Sequence, residues 1–153
     1  GMPAAGAAAT GGGVHSVAFE VLTASQGGRY QPRNIGAIWI ADASGKLIKS
    51  LKVWARIRQR YLYKYTAARS GMAVDVTASA TLSSHQMHRV SWDMKDRAGA
   101  VAPPGKYSVN IEVTDKDAQG AVGQFPFDTS VGPTTLMPTA TPGFSMLKLQ
   151  LSE

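Results

Sequence analysis

Apolar and polar residues alternate along much of the chain with the two-residue period of a β-strand, in which successive side chains point to opposite faces. Val17, Phe19 and Val21 share one phase within "VHSVAFEVLTA" (14–24), with polar residues on the other phase. The apolar run "IGAIWIA" (35–41) predicts a strand that is buried on both faces. Two β-strands are therefore expected between residues 14 and 41.

A hairpin is predicted where this apolar run meets the next one. The segment "DASGK" (42–46) has turn chemistry, because Asp42 can bond its own backbone and Gly45 tolerates a positive φ. The strand expected after the turn has one phase made of Leu47, Lys49, Leu51 and Val53. Segments 35–41 and 47–53 are therefore expected to pair antiparallel.

The second half of the chain repeats the alternation. The apolar phases of the expected strands are Val74, Val76, Ala78, Ala80 and Leu82, then His88, Val90 and Trp92, then Tyr107, Val109, Ile111 and Val113, and finally Leu147, Leu149 and Leu151. "DKDAQG" (115–120) is expected to be a hairpin turn, 122–131 a strand, and the proline-punctuated segment after it a loop. The count is seven to eight short strands, which predicts an all-β antiparallel β-sandwich.

One segment, "WARIRQRYLYKY" (54–65), fits two patterns. Trp54, Ile57, Tyr61 and Tyr65 have helical spacing, whereas Tyr61, Tyr63 and Tyr65 fit a strand. A short helix or an irregular crossover is favoured, so the fold is expected to contain at most one short helix.

The stretch 91–115, "SWDMKDRAGAVAPPGKYSVNIEVTD", is interpreted as scaffold. Trp92 is expected to anchor the core, Asp93 and Asp96 to accept backbone hydrogen bonds in tight turns, and Gly99 to adopt a positive φ. The stretch resembles a hairpin of the immunoglobulin-like domain in flagellar hook-capping proteins. That resemblance implies an immunoglobulin-like or fibronectin-III-like sandwich and no particular activity.

Length and composition are those of one ordinary globular domain, with 153 residues, 44% hydrophobic and 17% charged. Residues 1–13 are rich in alanine and glycine and are interpreted as a tag remnant and flexible leader, which leaves 14–153 as the domain. No apolar run approaches the ~18 residues of a membrane span. The absence of cysteine excludes disulfides, thiolate zinc sites and cysteine nucleophiles.

Positive charge is concentrated in one segment of a chain whose net charge is +6. Residues 46–69 contain eight basic residues and no acidic one. The favoured interpretation of this segment is a solvated face without a ligand. The alternative is an anion-binding surface whose candidate residues are Arg56, Arg58, Arg60 and Lys64.

The segments "GGRYQPRNIGAIWIADASGKLIKSLKVWARIRQRYL", "DVTASATLSSHQMHRVSWDMKDRAG" and "PPGKYSVNIEVTD" together resemble one bacterial family, a domain of unknown function in predicted periplasmic proteins. The resemblance begins at Val14 and covers nearly the whole chain. It implies export to the periplasm, with the signal peptide outside this sequence. Genes of this family often lie beside PepSY-type membrane proteins and periplasmic flavin transferases, which implies a link to extracytoplasmic electron transfer.

The motif "DVTASAT" (75–81) resembles the acceptor sequence of periplasmic flavin transferases, which attach FMN to a final threonine through a phosphoester. Asp75, Ala80 and Thr81 match that sequence, so Thr81 and Asp75 are the candidate cofactor-binding residues. Ala78 replaces the usual hydroxyl residue, and Ser79 replaces the usual glycine. The favoured interpretation is nevertheless that the segment is a β-strand with Thr81 on its wet face, which would hold the threonine too rigidly for modification.

Other chemistry finds little support in the sequence. His85 and His88 are three residues apart, which places them on opposite faces of a strand, and no cysteine or nearby carboxylate completes a metal site. A Gly-x-Ser-x-Gly elbow and a glycine-rich phosphate loop are both missing. Neither a metal nor a catalytic residue is expected.

The sequence is therefore interpreted as a non-catalytic periplasmic binding or accessory module. Its expected partner is another periplasmic or inner-membrane protein, and nucleic acid is not expected. The first alternative is a flavin-carrying electron-transfer protein with FMN on Thr81. The second is an anion- or headgroup-binding protein that uses the basic segment 46–69.

Overall fold

The computed structural model describes residues 13–153, which form eight β-strands in two antiparallel four-stranded sheets. The elements are β1 (Ser16–Thr23), β2 (Ile35–Asp42), β3 (Leu47–Val53), α1 (Tyr63–Arg69), β4 (Met87–Trp92), β5 (Lys106–Thr114), β6 (Ala121–Asp128), β7 (Thr134–Leu136) and β8 (Phe144–Ser152), with 3₁₀ turns at Gln59–Tyr61 and Thr129–Val131. The strand order is β4-β1-β8-β7 in the first sheet and β3-β2-β5-β6 in the second. The predicted all-β sandwich is confirmed. Most of the predicted leader, residues 1–12, lies outside the described residues.

The main core lies between the two sheets. Alternating residues of β1, β5 and β8 supply most of it, as the strand periodicity predicts. Aromatic side chains from both sheets meet there: the ring centroids of Phe19 and Phe125 are 5.8 Å apart, and those of Trp92 and Tyr107 are 5.1 Å apart. Fully burying each large apolar side chain contributes roughly 1.5–3 kcal/mol.

A second apolar cluster lies on the outer face of the second sheet. The segment from residue 54 to residue 82, called the cover segment below, lies over this face. It inserts Leu62 and Tyr65, both 0% exposed, against the outward residues of β2. The rings of Tyr65 and Trp39 are 5.2 Å apart. Because β2 is covered on both sides, its sequence is a continuous apolar run.

A buried carboxylate attaches helix α1 to the sheet. Glu112 of β5 is 0% exposed and accepts hydrogen bonds from the backbone N–H groups of Tyr65 (2.9 Å) and Lys64 (3.2 Å). These groups belong to the first turn of the helix and have no partner within it. Burial raises the pKa of Glu112, and the backbone donors work against that rise.

The turn chemistry of the stretch 91–115 is as predicted. Trp92 is 1% exposed. The carboxylate of Asp93 accepts from the backbone N–H of Lys95, that of Asp96 accepts from two backbone N–H groups in its own turn, and Gly99 has φ +87°. The hairpins 35–53 and 106–128 also form as predicted.

Three predictions were wrong. Residues 74–82 do not form a strand but an irregular part of the cover segment. The expected phase of β3 fails because register shifts in its pairing with β2 leave Leu47, Ser50 and Val53 buried. The loop after β6 contains the additional short strand β7, which pairs with β8. Between residues 54 and 65 the favoured crossover is found, and its helix continues to Arg69.

Candidate functional site

Thr81 lies in the irregular end of the cover segment and not in a strand. Its side chain is half-buried, and its hydroxyl forms no hydrogen bond with the described residues. The next residue, Leu82, exchanges two backbone hydrogen bonds of 3.0 Å with Asn34. Thr81 therefore follows a loop whose end is held by one antiparallel bridge, and the proposed wet face of a strand does not exist.

Two further contacts hold the motif 75–81 along the edge of β3. The backbone N–H of Ser79 donates to Val53 O (2.9 Å), and Ser79 O accepts from the N–H of Arg56 (3.1 Å). The Ser79 hydroxyl also lies 3.3 Å from Val53 O. The serine that replaces glycine in the motif is thus accommodated at the sheet edge, and Ala78 packs against the second apolar cluster.

Asp75 occupies a structural position. Its carboxylate accepts from the backbone N–H of Ser50 (3.0 Å) and lies 3.8 Å from the guanidinium of Arg97. Its side chain is 8% exposed and does not line the cavity at Thr81. Asp75, the first residue of the motif, therefore helps to hold the segment 75–81 in place.

A cavity of about 360 Å³ lies beside Thr81. It is lined by Tyr30, Arg33, Arg58, Thr81, Leu82 and Ser83. The loop after β1, the start of the cover segment and the end of the motif supply these residues. A hydroxyl group and two guanidinium groups thus share one concave surface, and this arrangement suits a phosphate-containing ligand.

Arg58 is held in place from two sides. Its guanidinium lies over the ring of Tyr30, 4.4 Å from the centroid, and its Nη1 is 3.4 Å from Asp117 Oδ1. The Tyr30 hydroxyl donates to Asp117 Oδ2 at 2.8 Å. Arg33 approaches the same ring at 6.0 Å. This aromatic stack and ion pair orient the Arg58 side chain before any ligand arrives.

The cavity lining does not include all four basic residues that the sequence offered as an anion site. Only Arg58 lines the cavity. Arg56, Arg60 and Lys64 are exposed, and Arg60 lies over the ring of Tyr61 at 4.7 Å. The prediction of one site made of all four residues therefore separates into a cavity with Arg58 and an exposed surface with the other three.

Sequence reasoning missed Tyr30, Arg33 and Asp117. Tyr30 and Arg33 lie in "GGRYQPRN", and Asp117 lies in the turn "DKDAQG". The backbone bond from Tyr30 N–H to Asp115 O (2.9 Å) brings these two loops together. A tyrosine flanked by two arginines, Arg29 and Arg33, was the available signal in the sequence, but no spacing rule links this loop to the distant acidic turn.

His88 is buried, His85 is half-buried and His15 is exposed. His88 is 1% exposed, stacks on Trp54 at 4.3 Å, and its Nδ1 lies 2.9 Å from the ammonium of Lys52. His85 precedes β4, and its Nδ1 is 3.0 Å from the Thr23 hydroxyl. Within residues 13–153, no group of three histidine, cysteine or acidic side chains is arranged to hold a metal ion. In the same described part of the chain, no helix has the length and apolarity needed to cross a membrane.

Comparison with known proteins gives one match. A family model described as "Predicted periplasmic protein (DUF2271)" matches residues 15–140, which is most of the chain. No curated protein and no solved structure matches this chain. The match includes the motif 75–81, both loops of the cavity and the cover segment.

Proposed function

This chain belongs to the DUF2271 family of predicted periplasmic proteins, and from that premise we propose that it is an accessory module carrying FMN as a phosphoester on Thr81. Bound FMN would supply reversible one- and two-electron chemistry. The chain itself would hold the flavin and present it to a periplasmic or inner-membrane partner. No group of this chain would act as a catalyst.

The observation that carries the proposal is the position of Thr81. An acceptor threonine must enter the cleft of another enzyme, and Thr81 lies in an irregular, half-exposed segment at the mouth of a cavity. The departures at Ala78 and Ser79 do not obstruct the hydroxyl, because their side chains contact the second apolar cluster and the edge of β3.

The chemistry of attachment also suits the site. In the transfer, Oγ1 of Thr81 forms a bond to the FMN phosphorus of FAD, the pyrophosphate bond breaks, and AMP leaves. The hydroxyl proton passes to the transferase or to solvent. The product is a phosphodiester with one negative charge beside Arg33 and Arg58, which can offset that charge with charge-assisted hydrogen bonds.

The test is to incubate the purified chain with a periplasmic flavin transferase, FAD and magnesium, and to record the intact mass. Wild type should gain one FMN moiety, and Thr81→Ala should gain none. Thr77→Ala and Ser84→Ala are matched controls, because they remove exposed hydroxyl groups on either side of Thr81 that do not line the cavity, and both should gain one FMN moiety.

Two results would refute the proposal. One is no gain in mass while the same transferase modifies a known acceptor protein in a parallel tube. The other is a gain of one FMN moiety that persists in Thr81→Ala. Because Thr81 lies on a half-exposed loop, circular dichroism of each variant should match wild type.

A further inference from the structure

The cover segment exposes apolar and basic side chains that are close neighbours in sequence. Ile57 is 80% exposed and Tyr63 is 46% exposed. Arg56, Arg60 and Lys64 lie between and beside them in sequence and are also exposed. These five residues are called the basic–apolar patch. Lone exposed apolar residues are common, whereas here two of them lie among three exposed cations within nine residues.

A rigid support lies under the patch. Leu62 and Tyr65, at 0% exposure, anchor the intervening residues in the second apolar cluster. Glu112 holds the first turn of α1, and the hydroxyls of Tyr65 and Ser50 are 2.7 Å apart. The exposed side chains are therefore presented outward by a buried framework.

The charges of the patch are not neutralised by the cover segment itself. Residues 46–69 contain no acidic residue. Among the nearby acids, Glu112 binds backbone N–H groups, Asp117 pairs with Arg58, and Asp75 lies beside Arg97. Arg56, Arg60 and Lys64 form no ion pair within the described residues.

We propose that the basic–apolar patch binds the surface of an anionic phospholipid bilayer. Cationic side chains attract anionic headgroups, while an exposed isoleucine and a tyrosine are stabilised where headgroups meet acyl chains. A soluble anion would favour a concave site such as the cavity at Thr81. A purely electrostatic partner would leave the exposure of Ile57 unexplained. This inference goes beyond the proposed flavin function and does not depend on it.

The test is sedimentation with vesicles of phosphatidylcholine, with and without phosphatidylglycerol. Wild type should bind only the anionic vesicles, and less well as salt rises, because screening weakens the attraction. Arg60→Gln/Lys64→Gln should lower the partition coefficient roughly thirty-fold, since each basic residue near such a surface contributes ~1 kcal/mol. The matched control, Lys95→Gln/Lys106→Gln, removes two exposed charges elsewhere and should behave like wild type.

A third variant tests the apolar contact. Ile57→Ser should weaken binding by about tenfold, because it removes an apolar side chain that enters the interface. Circular dichroism and thermal unfolding of each variant would show that the fold is intact.

Several results would overturn the inference. The first is a wild-type protein that does not sediment with anionic vesicles. The second is an equal loss of vesicle binding in the patch variant and in the control variant. Ile57→Ser with unchanged binding would indicate a purely electrostatic surface, such as one for an acidic protein. Competition by soluble glycerol phosphate at the concentration of accessible lipid would indicate a headgroup ligand instead of a bilayer.

Discussion

The buried His88 should make the stability of this protein depend on pH. The Lys52 ammonium can only donate, so Nδ1 of His88 accepts and the neutral ring carries its proton on Nε2. Burial, followed by the charges of Lys52 and His85, lowers the pKa of His88 to about 4. Protonating Nδ1 would replace this hydrogen bond with two positive charges at 2.9 Å.

The size of the effect follows from proton linkage. Above pH 6.5 the imidazole is neutral in both the folded and unfolded states. Between pH 6.5 and about 4 the unfolded chain binds a proton that the folded chain does not, so the free energy of unfolding falls as pH falls. The slope is ~1.4 kcal/mol per pH unit, and the total loss is about 3 kcal/mol.

Other groups titrate near this range, so the measurement must be a difference. Burial lowers the pKa of His85 despite the opposing charge of Asp115, and this lowered pKa adds to the loss of stability at acid pH. The raised pKa of Glu112 has the opposite effect and stabilises the folded state as pH falls. His85 and Glu112 are both present in wild type and in His88→Gln, whose side chain can still accept a hydrogen bond from Lys52 but cannot titrate.

The assay is urea unfolding of both proteins, followed by tryptophan fluorescence, at half-unit steps from pH 7 to pH 4. The stability of wild type relative to His88→Gln should fall by about 3 kcal/mol over this range. Lys52→Gln should narrow the pH interval over which the free energy of unfolding falls, because it removes one cause of the lowered pKa of His88. Parallel pH profiles for wild type and His88→Gln would refute the reasoning.

Two further substitutions test how the cover segment is attached. Glu112→Gln should lower the free energy of unfolding by about 2 kcal/mol, because it weakens charge-assisted bonds to the N–H groups of Lys64 and Tyr65. Urea unfolding at neutral pH measures this loss. An unchanged midpoint would contradict the role of Glu112 in attaching the helix. Gly36→Ala should cost roughly 3 kcal/mol, because its Cβ would lie 2.3 Å from Trp54 Cζ2 and 2.8 Å from the carbonyl oxygen of Glu112. Thermal unfolding measures the effect of Gly36→Ala, and a melting temperature equal to that of wild type would show that the backbone at this end of β2 can shift.

Most strands could be predicted from the sequence, because their alternation is local. Val17, Phe19 and Val21 all enter the core, and so do Leu147, Leu149 and Leu151. The failure at residues 74–82 has a physical reason. The apolar phase of that segment does pack inward, through Val74, Val76 and Ala78, but against the outer face of a sheet without joining it. Alternation reports which side chains are buried and does not reveal whether a ladder of hydrogen bonds forms.

The candidate site was predicted only in part. Thr81 was found from a short motif, and the structure places it beside a cavity. The position of Asp75 in a structural contact could not be foreseen, because its partners Ser50 and Arg97 come from distant parts of the chain. Arg58 lines the cavity, whereas Arg56, Arg60 and Lys64 of the same segment are exposed outside its lining, and the shared segment did not reveal this separation.

The sequence by itself determined the class of fold and the membership of a family of predicted periplasmic proteins, and it singled out Thr81 as a candidate, because each rests on local periodicity or on a contiguous motif. Only the tertiary structure decided which arginines lie beside Thr81, which acid anchors the helix and which side chains remain exposed on the cover segment. Those features depend on contacts between loops far apart in the chain. Packing of the two sheets and the cover segment brings those loops together. No local pattern in the sequence specifies that packing.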